Sequence, residues 1–184
     1  MDAKLPMSGN IEVVRKKINM LDLGPIKVKL MDHEEGKGWS LEKCNEVDIQ
    51  YKRFLYLSVK YPQAIVPSKD VDAMWHQHIL DTRKYAEDCR SAFGFFLHHF
   101  PYFGMRGQDD ATDLENAFEE TCRLYEIEFG QSYVNLAEVG RKCDSCGSDS
   151  CGSSCGWPGQ KCSGDKRIVN FRPRPHLPLP AGAL

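Results

Sequence analysis

The sequence predicts an all-α fold: a small bundle of about four main helices, followed by a Gly/Ser/Cys-rich and Pro-rich C-terminal tail. Three observations carry that prediction. Apolar residues recur at three- and four-residue intervals along most of the chain up to Val139. Serines, prolines and glycines stand where such stretches should start and stop. Beyond Val139 the composition changes to one that cannot bury enough apolar surface to offset its ordering entropy. A chain of 184 residues suits one domain with a core. Residues 1–139 are therefore read as the helical domain and 140–184 as a largely irregular tail.

The first helix is expected over Ile11 to Leu23, with Ile11, Val14, Ile18 and Leu21 on one face and Gly24-Pro25 ending it. In Ile26 to Met31 the apolar Ile26, Val28 and Leu30 alternate with Lys27 and Lys29, which predicts a short extended piece. Asp32 to Trp39 reads as a Gly-punctuated loop. Ser40 is placed to N-cap a helix over Leu41 to Tyr61. Its inner stripe is Leu41, Cys44, Val47, Tyr51, Phe54, Leu55 and Ser58, and Pro62 stops it. Pro67-Ser68 opens a third helix, with Asp70 and Asp72 in a first turn that favours negative charge, running to about Arg90. After an aromatic stretch, Asp109 or Asp110 caps a fourth helix that reaches Phe129-Gly130. Its inner face is Leu114, Phe118, Thr121 or Cys122, and Tyr125.

Composition narrows the function. Apolar residues make up 41% and charged residues 27%, and 24 basic against 26 acidic side chains leave a formal charge of −2. That balance supplies no global field for nucleic acid or an anionic membrane, so neither is expected as a partner. The apolar run around Ala92 to Phe103 is too short and interrupted to span a bilayer. Met1 to Asn10 lacks the basic and apolar regions of a signal peptide, so a cytoplasmic location is expected.

Thiols in that compartment stay mostly reduced. Of the eight cysteines, Cys44, Cys89 and Cys122 are scattered, whereas Cys143, Cys146, Cys151, Cys155 and Cys162 cluster. Cys143-x-x-Cys146 has metal-ligand spacing, and any four of the five would complete a tetrahedral zinc site, a candidate second metal site. A reduced tail without metal and a redox role are the alternatives. The strand scaffold of a zinc ribbon is missing. Pro173, Pro175, Pro178 and Pro180 make the last residues extended, and the tail is where an unknown protein partner is expected to dock.

The densest chemistry lies in Trp75 to Gly104. Four of the six histidines, His76, His78, His98 and His99, fall there. On a helix, Val71, Met74, Thr82, Tyr85 and Cys89 lie within about 40° of His78, with Trp75 and Asp81 flanking at about 60°. His78 thus occupies the middle of the stripe that faces the core, as a hydrogen-bonded residue or as a ligand. His76 lies about 160° away, near Asp72, Leu80 and Arg83, so the two imidazoles cannot chelate one ion from a regular helix. The adjacent His98 and His99 should likewise diverge, with one of them inward. His78, one of His98 or His99, and Asp81 or Asp88 would form a His/His/Asp set suited to a divalent transition metal, zinc or iron, with open positions for water. His76 would then serve a second site or a structural role.

The motifs Trp75-His76-x-His78, Tyr85-x-x-Asp88-Cys89 and Phe93-Gly94 resemble those of the glycine-rich-domain-containing-protein-like family, known from plants and microbes. The resemblance covers roughly Ile26 to Gly130. It implies a Gly-rich C-terminal portion, which the Gly-Ser-Cys tail matches in part. His98-His99-Phe100-Pro101-Tyr102-Phe103-Gly104 resembles compact bacterial relatives and implies a bacterial source. The family brings no settled reaction with it.

Three functional classes follow. The first is a metal-binding helical protein with a buried His/Asp site. The second is a metalloenzyme, oxidative or hydrolytic, using that site. The third is an interaction module with a purely structural core. Phosphate-loop, dinucleotide and serine-hydrolase motifs are absent from the sequence.

Overall fold

In the computed structural model, which describes residues 8–133, the chain forms six helices and no strand among the described residues. They are α1 (Ser8–Asn19), α2 (Gly24–Met31), α3 (Leu41–Lys60), α4 (Lys69–Leu80), α5 (Thr82–Ala92) and α6 (Gln108–Phe129). The long α3 is the hub: α1, α2, α4 and α6 all pack on it, while α4 also meets α2 and α5. Its buried stripe runs Cys44, Val47, Tyr51, Phe54 and Leu55, with the flanking Tyr56, Leu57 and Val59 also covered. The helix starts where the Ser40 hydroxyl accepts from Lys43 N at 3.2 Å.

The count of six against about four has two physical sources. The first is α2, expected as an extended piece. Ile26 and Leu30 are four residues apart and both buried, whereas Val28 is 70% exposed. A 26/28/30 alternation shares its two outer positions with a helical i, i+4 pair, and only the middle residue tells them apart. Pro25 settles the helix by presetting φ in the first turn. Gly24-Pro25 therefore opens an element as well as closing the previous one.

The second source is a break at Asp81, where the backbone turns to φ −80°, ψ 73°. Asp81 closes α4, and its carboxylate accepts from Lys84 N at 3.4 Å to cap α5. One predicted helix is thus two, yet Val71, Met74, His78, Tyr85 and Cys89 all remain buried on the same core.

The start of α6 also differs from expectation. Gly107 occupies the N-cap position, at φ +117°, and Asp109 and Asp110 lie in the first turn. Asp110 instead reaches back to accept from Gly104 N (2.7 Å) and Arg106 N (3.2 Å), and it pairs with the Arg106 side chain. The helix ends at Gly130, in the left-handed region at φ +63°.

Two side chains tie the 61–68 connection to α6 and to Tyr133 beyond it. Thr121 Oγ1 accepts from Val66 N at 2.9 Å, and the Tyr133 hydroxyl accepts from Ser68 N at 2.9 Å. No helix among the described residues is long and apolar enough to cross a membrane.

Candidate metal site

The aromatic segment 93–103 passes across α4, and this crossing builds the site. Tyr85 holds it in place. Its hydroxyl donates to Leu97 O at 2.5 Å and accepts from Trp75 Nε1 at 2.9 Å. Burial pushes the Tyr85 phenol well up from its ordinary pKa, so it keeps the proton it donates. Trp75, packed on Phe54 at 5.0 Å between ring centroids, then offers its other side to His99 at 4.5 Å.

That contact sets His99 over the outer face of α4, beside Asp72 and His76. His99 Nε2 lies 3.0 Å from Asp72 Oδ1, and His76 Nδ1 lies 3.6 Å from Asp72 Oδ2. The two imidazole rings are 4.6 Å apart, tilted by 59°. One ligand atom from each of Asp72, His76 and His99 can be chosen so that all three lie within 4.8 Å of one another. Two donors bound side by side at about 2.0–2.1 Å stand roughly 3.0–3.4 Å apart. The two contacts reach different oxygens of Asp72, so gathering one atom from each residue around a single ion needs a movement of an imidazole. His76, with its side chain 49% exposed, is free to make it, while His99 is 16% exposed and pinned on Trp75.

His78 sits elsewhere. It is 1% exposed, and both ring nitrogens are engaged: Nδ1 with the Tyr51 hydroxyl and Nε2 with Asp88 Oδ2, each at 2.9 Å. Burial lowers the His78 pKa from the ordinary histidine value against the opposing pull of Asp88. Burial also holds the Tyr51 phenol protonated by raising its pKa far above the usual value. One tautomer satisfies all of this: Tyr51 donates to Nδ1, and Nε2–H donates to Asp88. Lys84 completes the chain with 2.9 Å to the same Asp88 oxygen.

The remaining expected residues distribute as follows. Asp88 belongs to the His78 network and Asp81 is the exposed helix cap. His98 turns away from His99 to lie 4.9 Å from the Phe96 ring. Cys143, Cys146, Cys151, Cys155 and Cys162 lie outside the described residues. The one member of this group that the sequence reading did not name among the ligand candidates is Asp72, taken as a charge complementing the helix N-terminus. Its signal was the i, i+4 spacing to His76, which puts both on one face.

A cleft of about 480 Å³ opens beside the three ligand candidates. Trp75, His76 and His99 form part of its wall, with Phe96, Phe100 and Phe103 continuing it. The site is thus a carboxylate and two imidazoles at the edge of an aromatic depression, a donor set for a divalent transition ion with positions left over.

An all-helical domain with a His/His/Asp group at a cleft is the class that fold and site define. The chain belongs to the UCP032817-like family, whose pattern matches residues 18–133. It is similar to glycine-rich domain-containing proteins 1 and 2 of Arabidopsis thaliana, at 34% and 30% identity over 103 residues, or 52% of this chain. The chain spans only 12% and 13% of the length of those relatives. No solved structure matches it.

Proposed function

We propose that this domain binds one divalent transition metal ion, zinc or iron, through Asp72, His76 and His99, leaving water-filled positions open towards the aromatic cleft. The observation that carries the reading is the convergence of three ligand atoms of the right chemistry within 4.8 Å, from two segments 27 residues apart (72 and 99). Asp72 and His76 form a frame already set by one helix face, and Tyr85 and Trp75 deliver His99 to it. Two imidazoles and one carboxylate with open positions suit zinc in a catalytic-type site or non-haem iron(II). Metal chemistry on a ligand in the cleft, oxidative or hydrolytic, is the function such an open site would serve. The His78 network supports this from behind, since Tyr51, His78 and Asp88 hold the inner faces of α3, α4 and α5 in fixed relation.

The test is cobalt(II) titration of the full chain purified without a tag, followed by visible absorption. We expect the visible bands of a nitrogen- and oxygen-bound ion to saturate at roughly one equivalent. Asp72→Asn and His99→Gln should abolish them, while Cys143→Ser with Cys146→Ser leaves them intact. Bands that persist in both Asp72→Asn and His99→Gln, or their complete absence from the parent protein, would overturn the proposal.

A further inference from the structure

We infer that the ligand of this site is a small amphipathic carboxylate, its anionic end on the ion and its aromatic or hydrocarbon body on the phenylalanine wall. The inference rests on the metal reading above and specifies what occupies the positions that reading leaves open. Two observations carry it.

The first is charge. Asp72 and His76 line two clefts at once, the aromatic one and a second bordered by Lys37, Gln77 and Leu80. Lys69 also lines both. Asp72 is the one acidic side chain among the described residues bordering either cleft. A divalent ion held by that single carboxylate keeps net positive charge, and Lys37 and Lys69 add to it. Neither a neutral nor a cationic ligand answers that excess, whereas a carboxylate both ligates the ion and faces Lys69.

The second is shape and surface. Phe95 and Phe96 are 40% and 46% exposed beside the cleft, and Phe100, Phe103 and Leu114 continue the apolar lining. Several large aromatic side chains left in contact with water around one depression constitute a contiguous apolar surface that a hydrocarbon body would cover. A volume of about 480 Å³ fits a small organic molecule and is far below what a folded partner needs. Inorganic anions would satisfy the charge and leave the wall uncovered.

The experiment uses the full-length protein loaded with cobalt(II), the loading recorded first from the visible bands. 2-Naphthoate is then titrated in, with acetate and 2-naphthylmethanol as the anion without a ring and the ring without an anion. The inference predicts a saturable change in the cobalt bands with 2-naphthoate at concentrations at least about tenfold below those at which acetate acts. The alcohol should leave the bands unchanged. Lys69→Met and Phe95→Ala should each weaken 2-naphthoate severalfold without altering cobalt uptake, because neither residue is a ligand, both are exposed and the Phe95 ring packs on Phe93 rather than on Tyr85. If cobalt loads and 2-naphthoate acts no better than acetate, or if both variants bind it as the parent does, this inference falls and the metal site stands. If cobalt does not load, both fall together.

Discussion

The behaviour of single residues turns on which nitrogen of which histidine is already occupied. His78 has neither free, so its substitution should read as a loss of stability. Replacing Tyr51 by Phe strands His78 Nδ1 in the core without its donor and is expected to cost about 1–3 kcal/mol in denaturant unfolding. The pH dependence follows from the direction of the His78 shift. With its folded pKa below the ordinary value, the folded state binds fewer protons than the unfolded chain as the imidazole titrates. This contribution is therefore fully present above the unfolded histidine pKa of about 6.5 and is lost as the pH falls through the lowered folded value. In metal-free protein, unfolding free energy should decline from pH 7 to 5, and the decline should be shallower in His78→Gln. An identical slope in the two proteins would contradict the assignment.

Residue patterns explain what was legible in the sequence. Helical geometry on its own placed His78 at the centre of the buried face and His76 on the outer one, and both are so placed. It could not say which histidine the 93–103 segment would cross. That depends on the Tyr85 hydroxyl gripping Leu97 O, a contact between side chain and backbone that no periodicity encodes. Consequently His99 meets the exposed histidine, not the buried one, and Asp72, which looked like helix-start charge, completes the group.

At the scale of elements, the break in the expected third helix shapes the geometry of the candidate site. Dividing the predicted third helix at Asp81 lets α5 turn while keeping Tyr85 and Asp88 on the core, where they reach Trp75, Leu97 and His78. Asp81→Ala removes the α5 cap and should lower stability by about 1 kcal/mol. Tyr85→Phe reaches further. It loses the bonds to both Trp75 and Leu97, so it should cost about 1–3 kcal/mol and also weaken cobalt binding, because His99 is no longer delivered. A Tyr85→Phe protein that is destabilised but binds cobalt as tightly as its parent would separate the segment's anchoring from the site. The other end of the segment is set by Gly104 at φ +88°, where an added Cβ would sit 2.6 Å from Leu114 Cδ2. Gly104→Ala combines a strained backbone with that clash and should destabilise the protein and disturb the cleft wall in one step.

Element boundaries were legible where the sequence carries a cap, as at Ser40 and Ser68, whose hydroxyls accept from Lys43 N and Val71 N. They were not where two patterns share residues. Ile26 and Leu30 fit strand and helix alike, and the preset φ of Pro25 with an exposed Val28 decided for the helix.

For the whole molecule, an ion bound only by the folded state must raise its stability. At a free concentration a hundredfold above Kd the gain is about 2.7 kcal/mol. For a chain of this size that corresponds to a rise in Tm of roughly 5–10 °C. The rise should vanish in Asp72→Asn, even though the cysteines beyond the described residues keep whatever zinc affinity they have. Under the proposed reading, the buried network around His78 ties α3, α4 and α5 together, and the Asp72, His76 and His99 group stands on an outer face of that scaffold.

The most direct measurement is X-ray absorption at the metal edge of the zinc- or iron-loaded full chain, loaded with one equivalent. Nitrogen and oxygen scatterers are expected at about 2.0–2.2 Å, with the multiple-scattering signature of two imidazoles and no sulfur. A shell dominated by sulfur at about 2.3 Å, unchanged by His99→Gln, would place the ion on the cysteines and contradict the proposed site.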